Sequence, residues 1–379
     1  MYRRRRLVVG GAALFVVVVV IVVFGNLFAS GGNPGTTTTT TRKALPLGIG
    51  VKAVTWTNPK GLAVNPAPGG SAKHRTLLTE IWYPSLGASR TTPTNNASPD
   101  YNGGPYPVVV FAQGFNTLPS TYTALFDAWV LAGYVVVAPN FPDGSANEIK
   151  SLGPNPTGDQ ISIAESDVIN EPSDVAYVAN QVVAGSNGEA SSGAAWLHGL
   201  AQPSKLALAG HSDGGQVIGA LVYASGYAAT YASMKVAPFA VEVLSGSEFP
   251  ASEVGTYGPP TPAPPVLTVQ SATDQCNLPQ NAYTLHQAMG SGWFLKLDDA
   301  AHFNPYLGQG TAAPVIERTT TAFFGTATGA AGSNLQQAGD VSGISTIYSP
   351  SSRPTITPLP IPTPAQQAEA CAVPAPPSI

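Results

Sequence analysis

Ser212 sits in Gly210-His211-Ser212-Asp213-Gly214, after the apolar run Leu206-Ala207-Leu208-Ala209 and before a helix-like stretch over 215–223. A buried strand that turns at Gly-x-Ser-x-Gly straight into a helix has no room for a side chain two residues either side of the serine. Glycine therefore stands at 210 and 214, and the turn lifts Ser212 out of the strand end in a strained conformation, open to a reactant. The pentapeptide decides little alone in a chain with 40 glycines among 379 residues. Its neighbours along the chain give it meaning.

From Lys52 onward strand-like and helix-like pieces alternate. Residues 75–83 alternate in hydrophobicity, which predicts an early, half-exposed antiparallel strand. Residues 108–112 and 134–138 are continuous apolar runs, expected of strands buried on both faces. The runs 206–209, 239–244, 266–270 and 293–297 extend a parallel set. Helices are expected over 121–132, 171–183, 281–289 and 313–324, with Pro172 tolerated in a first turn. This order predicts an α/β fold: a mostly parallel central sheet of about eight strands with helices on both faces.

A serine hydroxyl is a poor nucleophile until a base takes its proton. Of the five histidines, His211 lies inside the turn itself and faces away from its neighbour, His74 precedes the early strand, His198 is in a loop, and His286 falls in a helix. Only His302 follows the last strand, in Asp298-Asp299-Ala300-Ala301-His302-Phe303, where the base of a Ser-acid-His chain order belongs. The acid must hold the imidazole in one tautomer. Asp274 follows the 266–270 strand at its C-terminal end, where ligands bind in such sheets. Asp298 and Asp299 are the alternatives, close to His302 in sequence. A tetrahedral oxyanion needs two preset N–H donors. Asp213, next after the nucleophile, supplies one; Phe115, in the turn Gln113-Gly114-Phe115-Asn116, supplies the other. No His-x-x-x-His or Cys-x-x-Cys pair and no Gly-rich phosphate loop after a strand occurs, so no metal and no cofactor are expected.

These residues carry a resemblance. Arg75-Thr-Leu-Leu-Thr-Glu-Ile-Trp-Tyr-Pro84, Val109-Val-Phe-Ala-Gln-Gly-Phe115, Ala132-Gly-Tyr-Val-Val-Val-Ala-Pro139 and Pro172-Ser-Asp-Val175, with the serine turn, Asp274 and His302, resemble the platelet-activating-factor acetylhydrolase and dienelactone-hydrolase-like branch of the α/β-hydrolases. The chain is also similar to the bacterial cutinase-like polyester hydrolases, which share a Gly-Phe or Gly-Tyr oxyanion turn. The resemblance implies the α/β-hydrolase fold over 51–325 and a serine hydrolase of carboxylic esters working through an acyl-enzyme. The expected substrate is a small acyl ester, a lipid or a polyester. Two departures stand out: Gln113-Gly114 replaces the family's usual His-Gly, and dienelactone hydrolases proper use a cysteine where this chain has Ser212. A peptidase or acyltransferase with the same triad, and a catalytically silent cell-surface binding domain, are the alternatives.

The ends differ in composition. Residues 7–24 form an apolar run long enough to span a bilayer, behind Arg3 to Arg6. Residues 1–30 therefore read as an uncleaved signal anchor or as a signal peptide cleaved near Ala29-Ser30-Gly31, with a twin-arginine signal also open. Either form exports the chain, anchored to a membrane or secreted. Residues 31–50 read as a Thr/Gly-rich spacer, and 326–379 as a Pro/Ala/Thr-rich, mostly irregular tail. Without the four leading arginines the chain carries 13 basic against 21 acidic residues, which argues against a nucleic-acid partner. Cys276 and Cys371 are the only cysteines, an even count that in an exported chain suggests a disulfide pinning the tail to the Cys276 loop.

Overall fold

Apolar runs too rich in Val, Leu and Ala to face water on either side become the middle of one sheet. The computed structural model describes residues 47–63, 73–330 and 333–374. The expected signal segment, and the spacer up to residue 46, lie outside them. Among the described residues the strands are β1 (Leu47–Ala63), β2 (Lys73–Leu86), β3 (Thr94–Asn95), β4 (Tyr106–Ala112), β5 (Val135–Asn140), β6 (Ala201–His211), β7 (Ala240–Leu244), β8 (Val266–Ser271), β9 (Trp293–Leu297) and β10 (Ser345–Tyr348). The helices are α1 (Thr123–Leu131), α2 (Ala146–Ser151), α3 (Gly158–Ser166), α4 (Glu171–Ser186), α5 (Asp213–Tyr223), α6 (Ala228–Ala232), α7 (Ala251–Val254), α8 (Pro279–Ala288), α9 (Ala313–Thr328), α10 (Leu335–Gly339) and α11 (Pro364–Ala370).

All ten strands join one sheet in the order β10-β9-β8-β7-β6-β4-β5-β2-β1-β3. β5, β4, β6, β7, β8 and β9 are mutually parallel, while β2 against β5, β1 against β2 and β10 against β9 are antiparallel. The fold class is as expected from the sequence; the strand count is larger.

Alternate residues of each central strand feed two apolar layers. Val108, Val110, Leu206, Leu208, Val241 and Val243 pack under α4 and α5; Val109, Phe111, Ala207, Ala209, Ala240 and Leu244 pack under α1 and α9. Most are wholly shielded, and each fully buried Val or Leu contributes about 1.5–3 kcal/mol. Trp129 of α1 donates its indole N–H to Thr320 Oγ1 of α9 at 2.9 Å, joining the two helices across the second layer.

One polar network crosses the first layer. Arg75 of β2 is fully buried and donates to Asp174 of α4 and to Asp167, both at 2.6 Å, while Asn58 of β1 donates to Asp174 at 2.9 Å. A buried cation so paired is worth little against an apolar substitute but costs several kcal/mol to leave half-broken. It fastens β1 and β2 to α4.

The structure refines the expected domain limits. The domain does not begin at residue 51: β1 starts at Leu47, inside the expected spacer, and pairs with β2 from Leu47–Leu86 onward. Residues 326–379 carry some regular structure within an otherwise irregular course: α9 runs on to Thr328, β10 adds a strand to the sheet, and α10 and α11 follow. The physical reason is tertiary, since β10 has only four residues and gains its ladder by lying against β9. Between β5 and α3 the chain forms the short helix α2.

Candidate active site

β6 ends at His211 and α5 begins at Asp213, so Ser212 alone makes the turn. It adopts φ 57° and ψ −121°, a backbone state that costs a non-glycine residue about 1–3 kcal/mol. A Cβ at position 210 would run into the Gly214 carbonyl, and one at 214 into the Ala112 carbonyl of β4. Both flanking glycines are thus demanded by close backbone approach. The Ser212 N–H donates to Leu244 O of β7 at 2.9 Å, which holds the strained residue from the far side.

Ser212, His302 and Asp274, ninety and 28 residues apart in successive pairs, meet at the C-terminal end of the sheet. Ser212 Oγ lies 2.8 Å from His302 Nε2, and His302 Nδ1 lies 2.8 Å from Asp274 Oδ2. All three side chains are shielded from solvent. Asp274 takes four donors: His302 Nδ1 and Gln270 Nε2 (3.1 Å) on Oδ2, and the N–H groups of Cys276 (2.8 Å) and Asn277 (3.1 Å) on Oδ1. Because the carboxylate only accepts, His302 carries its proton on Nδ1 and presents a bare Nε2 to the serine hydroxyl. Asp298 and Asp299 are elsewhere: Asp298 faces Lys296 at 3.5 Å and Asp299 accepts from Thr273 at 2.9 Å. His198 pairs with Ser186 O, His286 with Thr268, and His74 lies exposed on β2.

His211 is fully buried and has a different part. Its Nε2 lies 3.1 Å from His302 O, and its Nδ1 lies 2.9 Å from Tyr122 Oη, which in turn accepts the Gly114 N–H at 3.1 Å. A carbonyl only accepts, so Nε2 bears the proton and Nδ1 takes the tyrosine hydroxyl's. Burial, followed by the neighbouring His302, holds His211 well below the usual histidine range, so it stays neutral. The chain Gly114–Tyr122–His211–His302 ties the turn after β4 to the serine turn and to the histidine loop. Tyr122 was not singled out from the sequence; nothing local marks a helix-entry tyrosine as a partner of a residue 89 positions away.

The turn after β4 is packed against Ser212. A Cβ on Gly114 would lie 3.1 Å from the Ser212 Cβ. Thr117 Oγ1 donates to Gly114 O at 2.6 Å, and Gln113 is buried and braces the turn by donating to Thr117 O and Asn140 Oδ1, each at 3.1 Å. Neighbouring N–H groups are used: Asn116 donates to Gly144 O at 2.7 Å. Those of Phe115 and Asp213, the two expected oxyanion donors, have no acceptor among the described residues.

A cleft of about 670 Å3 opens over Ser212, lined by Phe115, Asp213, Glu165, Ile161 and Phe303 and also by α11 and the disulfide cysteines. That volume suits a drug-sized ligand. A hollow of about 790 Å3 beside Glu317, Arg318 and Asn334 is larger, yet it holds none of these groups. The Asp213 carboxyl is pushed up to about 7 by burial and then by Glu165, against the pull of His302. Cys276 and Cys371 form a disulfide, as the even cysteine count suggested.

Models of known protein families give no match to this chain, and curated proteins give none either. Among solved structures it is similar to a ferulic acid esterase from Streptomyces cinnamoneus, with a TM-score of 0.51 and 18% identity over 75% of this chain and 91% of that chain. The fold is the α/β-hydrolase fold. Ser212, Asp274 and His302 follow the C-terminal ends of β6, β8 and β9 respectively. Among the described residues no helix is long and apolar enough to cross a membrane, and the apolar run 7–24 lies outside them.

Proposed function

We propose that the protein is an exported serine hydrolase that cleaves carboxylic esters. One observation carries the reading: the unbroken hydrogen-bond series Ser212–His302–Asp274, built onto a strained serine. Its resemblance to acetylhydrolase-like and cutinase-like enzymes, and its likeness to a ferulic acid esterase, support the same chemistry. The disulfide supports an oxidising, extracytoplasmic setting. So does the apolar segment near the N-terminus, whether it anchors the chain or is removed.

In this mechanism His302 Nε2 takes the Ser212 proton as Oγ attacks the ester carbonyl carbon. Asp274 keeps the resulting imidazolium oriented and compensated. Negative charge gathers on the former carbonyl oxygen, where the N–H groups of Phe115 and Asp213 receive it; one such donor is worth about 3–4 kcal/mol of barrier. The tetrahedral intermediate collapses, His302 returns its proton to the departing alcohol, and an acyl-Ser212 ester remains. Water then attacks that ester with His302 again as base, releasing the acid and restoring Ser212. His211 is neutral and already engaged at both nitrogens, so it takes no proton in this cycle.

The test is Ser212→Ala, read by turnover of a short p-nitrophenyl ester and by fluorophosphonate labelling. Turnover should fall by about 10^4-fold or more, and labelling should vanish. Undiminished hydrolysis in that variant rejects the assignment. Parent protein that labels but spares esters would be a peptidase or acyltransferase; parent protein that does not label would be a binding domain.

A further inference from the structure

The last described helix does not behave as part of the core. α11 has the sequence Pro-Ala-Gln-Gln-Ala-Glu-Ala and buries no residue. A short helix with no apolar face gains almost nothing from packing, and seven residues are far below the length at which a helix persists in water. It is nonetheless fastened twice. Before the helix, Gln280 of α8 clasps the main chain of Leu359, donating from Nε2 to its carbonyl at 2.9 Å and accepting its N–H at 3.1 Å. Behind it, Cys371 is bonded to Cys276.

The place to which it is fastened is specific. Pro364, Gln367, Ala368 and Cys371 recur at helical spacing on one face, and that face lines the cleft over Ser212. Gln366, Glu369 and Ala370, on another face, line a separate hollow of about 480 Å3 beside Asp274 and His302. The helix therefore stands as a partition with open space on two sides. Its covalent anchor, Cys276, lies two residues beyond Asp274 and gives that carboxylate its N–H.

We propose that residues 359–372 form a strap that walls the ester-binding cleft and limits the bulk of the substrate, with Ala368 and the Cys276–Cys371 bond as the specificity-determining elements. This rests on the esterase reading above. From the strap, Pro364, Gln367, Ala368, Cys371 and Ala372 line the cleft, with Ala368 the small side chain at the middle of that helical face. Substrates are then selected by what fits between the strap and the Phe115–Phe303 side. Enlarging Ala368 should close the gap, whereas cutting the disulfide should free the strap and widen it.

The experiment compares kcat/KM for phenyl acetate, phenyl octanoate and 2-naphthyl acetate in the full-length protein, in Ala368→Trp and in the double variant Cys276→Ser/Cys371→Ser. The two large esters place bulk on the acyl and alcohol sides in turn. For at least one of them, the large-to-small ratio should drop roughly tenfold in Ala368→Trp and rise severalfold in the double serine variant. Loss of stability, or a disturbed Asp274, scales all three esters together and leaves the ratios alone, so ratios moving in opposite directions isolate the wall. Ratios within twofold of the parent in both variants, or moving the same way in both, overturn the proposal. If the esterase reading itself is wrong, the parent protein turns over none of the three, a separate result.

Discussion

Asp274 and Glu242 are both carboxyl groups shut away from solvent, at 1% and 0% exposure, yet their surroundings are opposite. Asp274 lies just past the end of β8 and meets four donors. Glu242 lies midway along β7, on the same face as Ala240 and Leu244, and neither of its oxygens finds a hydrogen-bond partner among the described residues. Burial pushes it well above the usual carboxylic range, so it is held protonated. The cause is position in the sheet. Mid-strand N–H groups are already spent on the ladders between β6, β7 and β8, and the side chains there are apolar. Where the chain leaves the sheet and turns, N–H groups come free. A buried acid is equipped for chemistry at a strand end and is only a burden in the middle.

The largest effect should come from weakening the equipped carboxyl without changing its shape. In Asp274→Asn the amide oxygen keeps the Cys276 and Asn277 N–H groups, so its NH2 faces His302 and favours the wrong tautomer. We expect kcat to fall by about 10^4-fold with the fold intact; a loss under tenfold would place the acid elsewhere. The burdened carboxyl should respond in the opposite sense. Glu242→Leu should stabilise the protein by about 1–3 kcal/mol at neutral pH, because an unsatisfied buried group disappears. The gain depends on pH in a stated direction. The folded carboxyl keeps its proton while the unfolded chain loses it above about 4.5, so as pH rises through that value the parent loses more stability than the variant. Urea denaturation at pH 4 and pH 8 checks this; a variant no more stable than the parent at pH 8 contradicts it. The smallest effect probes one donor. Gln270→Leu removes the amide that links Asp274 Oδ2 to Asn277 O, and kcat should fall about tenfold with KM little altered. An unchanged kcat would mean that three donors position the acid as well as four.

Legibility followed locality. The serine turn was readable because its requirements are steric and lie within five residues. His302 and Asp274 were readable because each follows a recognisable buried strand. β1 was not: Gly48 and Gly50 resemble the preceding spacer, and only pairing with β2 makes them strand. Four-residue β10 and solvent-facing α11 carry no periodic signal, and their positions come from β9, Gln280 and Cys276. Tyr122 and Gln113 have no local signature of the bracing they provide.

By itself, then, the sequence determined the order of strands and helices, the serine at the turn, and the short list of acids and histidines able to serve it. These follow from side-chain volume and backbone sterics between near neighbours. Tertiary structure decided what the sequence had left open between Asp274 and Asp298 or Asp299, bringing Asp274 to His302, and it alone placed Tyr122 on His211 and α11 along the cleft. Those outcomes depend on which donors and surfaces meet across the sheet, at separations that no local pattern encodes.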